Sequence, residues 1–196
     1  MTDTRAQGTA DEQAREKKQL RSAARQRRAE RPSAEQAAFA QRLAAAASQP
    51  PLSSAERVAL FIGVDAEPQT LPLVESLAAR GCEVLLPVVL PDFDLEWGRF
   101  VSVDDLQRSR HGLLEPAPPY LGTEAVGTAD VVVVPAFAID PDGRRLGQGG
   151  GCYDRALRRV AAATPVLAVL FDDEVRSTPL PEEPHDRRVT GRLAAG

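Results

Sequence analysis

Between Arg144 and Asp154 the chain reads RRLGQGGGCYD: two arginines, four glycines, an aromatic and an acid within eleven residues. Each type suits phosphate for its own reason. Gly147, Gly149, Gly150 and Gly151 give a backbone that can adopt positive φ and approach a ligand with no Cβ in the way. Arg144 and Arg145 supply cations with fixed donor geometry. A helix opening near Tyr153 and Asp154 would turn free N–H groups and the positive end of its dipole toward the loop. The known phosphate motifs do not fit. There is no Gly-x-x-x-x-Gly-Lys, and the spacing Gly147-x-Gly149-x-x reaches Cys152 where the dinucleotide fingerprint needs glycine. A plain strand–helix connection uses glycines too; the order of residue types sets this one apart.

A second cationic group lies near the start. From Arg15 to Arg31 there are eight Lys or Arg and two acids. On a helix Lys17, Arg21, Arg25 and Arg28 project from one face. Such a face is either solvated, with weak attraction for nucleic acid or acidic surfaces, or it reaches a polyphosphate. Glu67 precedes a predicted helix and suits its dipole there. His185 beside Asp186 has the chemistry of a general base, yet nothing places it near a nucleophile. Cys152, at a helix start where a thiol pKa can fall, is read as lining.

These residues need elements to position them. Residues 1–10 read as a disordered tail, and 11–196 as one α/β domain with N-terminal helices over 11–48 and a sheet core over 56–192. Helices are predicted from about Asp11 to Glu30 and from Ser33 to about Ala47, where Ser33 and Gln36 form a capping pair. Arg57–Val64, Cys82–Leu90, Leu95–Val101, the Val131–Val134 run and Pro165–Phe171 read as strands. Gln69–Arg80 and a stretch from about Tyr153 read as helices. Alternation of this kind predicts an α/β fold: an open, mainly parallel sheet covered by helices on both faces, Rossmann-like and three-layered, with an N-terminal helical extension. Ligands of open α/β sheets sit beyond the carboxyl ends of the strands. The loops Asp65–Thr70, Pro135–Gly151 and Asp172–Glu174 should therefore share one crevice.

Composition narrows the classes. The 196 residues, 43% hydrophobic, suffice for one core. A net charge of −4 argues against general nucleic-acid binding. Two cysteines and two histidines make neither a disulfide framework nor a usual zinc site. There is no apolar run of transmembrane length, and the polar N-terminus has no signal-peptide core. A cytoplasmic monomer with no membrane partner is expected.

The ordered motifs resemble the 5-formyltetrahydrofolate cyclo-ligase (5,10-methenyltetrahydrofolate synthetase) family. Lys17-Lys18-Gln19-Leu20-Arg21 is similar to its N-terminal Lys-x-x-x-Arg. Glu67-Pro68-Gln69-Thr70 matches its Glu-x-x-Thr, and Gly112-Leu113-Leu114-Glu115-Pro116 its Gly-x-x-Glu-Pro. The loop from Arg145 to Asp154 resembles its Arg-Leu-Gly-x-Gly-x-Gly-Tyr-Tyr-Asp, and Pro181 to Asp186 with Thr190 its C-terminal signature. The resemblance runs from Lys17 to Thr190. It implies ATP- and Mg2+-dependent cyclisation of 5-formyltetrahydrofolate to 5,10-methenyltetrahydrofolate, with ADP and phosphate released. By that resemblance the γ-phosphoryl passes to the formyl oxygen, N10 attacks the activated carbon, and phosphate leaves. Lys17, Arg21, Arg145 and residues Gly147, Gln148, Gly149, Gly150, Gly151, Cys152 and Tyr153 would hold ATP. Arg145, Tyr153 and Asp154 would be catalytic. Glu67, Thr70, Glu115 and Cys152 would meet the folate, Glu67 orienting the pterin by accepting two N–H donors. Asp154 and Asp186 would stand near Mg2+, which favours a few carboxylates completed by phosphates and water.

The chain departs from the pattern at four places. Cys152 replaces the first of two tyrosines, Gln148 stands where an aromatic or basic residue is common, Gly150 where some members place lysine, and Glu174 where many have glutamine. Three alternatives follow: another ATP-dependent ligase or kinase on this scaffold, a non-catalytic folate- or nucleotide-binding protein, or a weak RNA binder using the basic helix.

Overall fold

In the computed structural model residues 3–110, 112–183 and 186–193 are described, with side chains from Glu12 onward. Two helices lead, α1 (Asp3–Glu30) and α2 (Ser33–Ala45). Then follow β1 (Arg57–Ala59), α3 (Leu71–Ala79), β2 (Glu83–Val89), β3 (Leu95–Arg99), β4 (Leu106–Arg108) and β5 (Leu114–Pro116). The remainder is β6 (Val131–Pro135), β7 (Ala138–Ile139), β8 (Arg145–Leu146), α4 (Cys152–Ala156), β9 (Val166–Val169) and β10 (Gly191–Arg192).

Six strands form one sheet in the order β10-β9-β6-β1-β2-β3. All neighbours are parallel except β3, which runs antiparallel to β2 at the edge. The α/β architecture expected from the alternating pattern is the one observed. Successive strand side chains point to opposite faces, and the valine run shows the consequence. Val131 and Val133 join Phe39, Leu43, Leu73 and Leu77 of α2 and α3 on one face. Val132 and Val134 join Trp97, Val126, Ala156 and Leu157 on the other. There the covering layer is thin: α4 and the 3-10 turns Thr123–Thr128 and Leu157–Arg159.

Three boundaries differ from expectation for physical reasons. The predicted strand Arg57–Val64 pairs as a ladder over β1 and then leaves it. Thr70 takes over its backbone groups, its Oγ1 donating to the Phe61 carbonyl at 2.5 Å and accepting the Gly63 amide at 2.9 Å. Helix α1 begins at Asp3, ahead of the predicted start near Asp11, so most of the stretch read as a tail is helical. The capping pair at α2 does not form: Pro32 is the N-cap, and Gln36 Nε2 bonds back to the Arg31 carbonyl at 3.1 Å. No helix among the described residues is long and apolar enough to cross a membrane.

The order of strands reverses at β1, with β2 on one side and β6 on the other. The chain segments leaving β1 and β6 therefore diverge and open a crevice at the carboxyl ends of the strands.

Candidate active site

The crevice has a volume of about 340 Å³. Its floor is apolar, with Phe61, Ile62, Pro87, Val89, Leu95 and Pro135 among the lining, and the segment Gly147 to Asp154 forms the opposite wall. Glu67 also lines it. An apolar cavity with a few converging polar groups is the usual form of a small-molecule site. The amides of Gln148, Gly149, Gly150 and Gly151 donate to no acceptor among the described residues. Gly149 owes its glycine to its backbone conformation. Its φ is +103°, and a Cβ there would come within 3.3 Å of the Arg21 guanidinium.

Arg145 and Asp154 are joined across this wall, Nη2 to Oδ1, at 2.7 Å, with the Arg145 side chain only 4% exposed. Asp154 Oδ1 also accepts the Arg187 amide at 3.1 Å, which leaves Oδ2 without a donor among the described residues. Tyr153 lines the cavity, and its buried hydroxyl has no hydrogen-bond partner among the described residues. Burial, followed by the charge of Glu67, pushes the phenol well above its ordinary pKa, so it stays a neutral donor. Cys152 is half-buried, and burial raises its thiol against the opposing pull of Arg155. That thiol is a wall, not a nucleophile.

Helix α1 lies behind the glycine loop and docks through charge. Lys17, Arg21, Arg25 and Arg28 do share one face, and all four reach protein partners. Arg21 Nε donates to the Gly147 carbonyl at 2.8 Å. Lys17 is 6% exposed, and its Nζ lies 2.6 Å from Asp186 and 3.3 Å from Glu183. Arg28 holds Glu174 bidentately at 2.6 and 2.7 Å and donates to the Ala136 carbonyl at 2.5 Å. Arg25 reaches Gln148 Oε1 at 3.0 Å, and Gln148 Nε2 in turn donates to Glu67 Oε1 at 2.9 Å. The pKa of Arg21 is lowered by burial and by Arg25, against the opposing fields of Glu183, Asp186 and Asp154. Glu183, Asp186 and the α1 cations thus form one electrostatic cluster behind the loop.

Several predicted site residues take other places. Thr70 is fully buried and spent on the backbone of Phe61 and Gly63, so it shapes the loop bearing Glu67 and does not line the crevice. Glu115 does not line it either; its Oε1 accepts the Val89 amide at 3.2 Å at the end of β2. The Asp172–Glu174 turn, expected to share the crevice, faces the N-terminal helices, with Arg28 on Glu174, Arg31 on Asp173 and Arg42 on Asp172. An acid at 174 is what a buried arginine requires. Arg144 is occupied by Asp140, Asp142 and Glu182, leaving Arg145 alone to face the cavity. Asp186 is already matched with Lys17. His185 lies outside the described residues. Sequence reasoning missed the wall built by Pro87 and Val89 on β2 and Leu95 on β3, since apolar strand residues carry no motif; Leu113 and Leu114, inside the Gly112–Pro116 motif, line the cavity with them.

The 5-formyltetrahydrofolate cyclo-ligase family model matches residues 8–193. The chain belongs to that family. Among its curated relatives, the 5-formyltetrahydrofolate cyclo-ligase of Mycolicibacterium smegmatis is 40% identical over 181 residues, covering 90% of this chain and 92% of the relative. The cyclo-ligase of Escherichia coli is 36% identical over 111 residues, covering 56% of this chain and 61% of its own length. The solved structure of 5,10-methenyltetrahydrofolate synthetase from Aquifex aeolicus superposes with a TM-score of 0.74 at 26% identity, covering 88% of this chain and 86% of that one. The Mycoplasma pneumoniae synthetase, at 18% identity and a TM-score of 0.68, shares the fold.

Proposed function

We propose that this chain is the cyclo-ligase its family implies, converting 5-formyltetrahydrofolate and ATP to 5,10-methenyltetrahydrofolate, ADP and phosphate. One observation carries the placement: a glycine loop with unspent amides faces an apolar cavity beside the Arg145–Asp154 pair. Apolar walls suit the flat pterin, and amides with a buried arginine suit the phosphates.

The roles follow from geometry. The amides from Gln148 to Gly151 and the Arg145 guanidinium hold the phosphates in line with the formyl oxygen, so catalysis consists of positioning and charge stabilisation. Lys17 and Arg21 add positive potential from behind the loop, and Asp186 holds Lys17 in place. Glu67 faces the cavity with Gln148 fixing one of its oxygens, a carboxylate suited to the amino-pyrimidine edge of a pterin. The Tyr153 hydroxyl donates to a substrate oxygen. Asp154, with Oδ2 unspent, would hold Mg2+, whose preference for one or two carboxylates with phosphates this donor set fits. Mg2+ supplies neutralisation of the phosphate charge when bound. Both cysteines are free thiols, in keeping with a reducing cytoplasm.

Turnover with 5-formyltetrahydrofolate and Mg-ATP, followed by the near-ultraviolet absorbance of the methenyl product, tests the proposal. Product that requires both ATP and metal is expected. ATP hydrolysis without methenyl product would discard the folate assignment.

A further inference from the structure

The turn between β2 and β3 carries an anomaly. Phe93 has φ +63°, a left-handed conformation that glycine or asparagine adopts freely and a bulky side chain rarely does. The residue is also 51% exposed while lining the cavity. Strain of this kind persists only where the surroundings over-determine it, and it gathers at ligand sites.

The surroundings do over-determine it. Phe93 N donates to the Leu90 carbonyl at 2.9 Å, and Leu90 N to the Asp94 carbonyl at 2.9 Å. Asp94 is gripped by Arg159 through two bonds of 2.9 and 2.6 Å. Arg155 Nη2 donates to the Phe93 carbonyl at 2.9 Å and to the Gly150 carbonyl at 2.8 Å. One guanidinium therefore ties the Phe93 turn to the glycine loop. Beside Gly150 in that loop stands Cys152, too small to offer a ring to the same cavity.

We propose that Phe93 is a substrate-binding residue, the aromatic wall on which the flat ring system of the folate stacks. It supplies from the β2–β3 turn the ring that Cys152 does not supply from α4. An aromatic face offset-stacked on a conjugated ring both buries area and fixes orientation. The assignment rests on the cyclo-ligase reading above.

Phe93→Asn and Phe93→Tyr test it, with KM measured separately for 5-formyltetrahydrofolate and ATP, folate binding by calorimetry, and Tm. Asparagine accepts the left-handed backbone, so Phe93→Asn should keep or raise Tm while raising the folate KM about tenfold, with ATP KM unchanged. Phe93→Tyr should keep the wild-type folate KM. A Phe93→Asn enzyme with unaltered folate KM, or with folate and ATP KM raised alike, overturns the stacking role while leaving the cyclo-ligase reading intact. A wild-type protein that neither binds nor turns over the folate overturns both.

Discussion

The oxygen of Asp154 that accepts Arg145 at 2.7 Å is the same one that accepts the Arg187 amide at 3.1 Å. One carboxylate oxygen thus orients the cation facing the crevice and ties down the segment following Asp186, while the other oxygen stays available. Asp154→Asn keeps the shape but removes the charge that Arg145 answers. Turnover should fall by roughly a hundredfold or more, as when a preorganised charge at a reacting group is lost. The dependence on Mg2+ should shift to higher concentration. Initial rates across a Mg2+ titration check both, and an Asp154→Asn enzyme with wild-type rate and metal dependence would remove Asp154 from the site.

Arg28 and Glu174 are 2% and 0% exposed, and they anchor the last turn of α1 to the turn after β9. Removing either partner alone strands a buried charge. Glu174→Ala or Arg28→Met should each cost about 3–5 kcal/mol in urea unfolding, while the double apolar replacement recovers most of that loss. With its anchor gone, α1 no longer holds Lys17 and Arg21 behind the glycine loop. The ATP KM of either single variant should rise more than its folate KM.

What the sequence made legible follows from which interactions leave a local trace. The valines of β6 announce a strand buried on both faces, and the glycines from Gly147 to Gly151 announce a loop that must approach something closely. Lys17, Arg21, Arg25 and Arg28 read as one face from spacing alone. Their partners do not: the match of Arg28 with Glu174 spans 146 positions, and no local rule encodes it. The family's departure at Glu174 becomes intelligible only once Arg28 is seen against it. The places of Thr70 and Glu115 were hidden for a related reason. A polar residue in a motif looks the same whether it meets substrate or satisfies a neighbouring amide, and here both bond backbone.

Gln148 separates two roles that sequence assigns together. Its backbone amide is proposed for the phosphates, while its side-chain amide bridges Arg25 and Glu67. Gln148→Leu frees the Glu67 carboxylate from one hydrogen bond, worth about 0.5–1.5 kcal/mol. The folate KM should rise roughly two- to tenfold, the factor that energy implies, with ATP KM unchanged. A rise confined to ATP KM would return Gln148 to the nucleotide.

Cys152→Ser should retain turnover. The thiol lines the cavity, but burial raises its pKa, so little thiolate exists at neutral pH. Alkylation of Cys152 by iodoacetamide should be slow at pH 7 and accelerate only in alkaline buffer. Protection of that alkylation by 5-formyltetrahydrofolate would place the substrate against this wall.

Acid should loosen the segment that carries Asp186 before it unfolds the sheet. Glu182 sits between Arg188 and Arg144, at 2.7 and 3.0 Å, and these partners hold its pKa down to about 2 from an ordinary value of 4.5. A carboxyl depressed in the folded state stabilises it fully above the ordinary value and loses that contribution as pH falls toward the folded one. The window is therefore pH 4.5 down to about 2. Glu182→Gln removes this contribution at every pH, so its stability should fall less steeply than the wild type's across that window. Some slope remains, because Arg99 and Arg159 hold Glu83 and Asp94 below their ordinary values as well. Near neutral pH the variant should be the less stable of the two, and the curves should converge toward pH 2. Urea unfolding at half-unit steps measures this, and parallel curves would show that the Arg144–Glu182–Arg188 bridge contributes nothing to the fold.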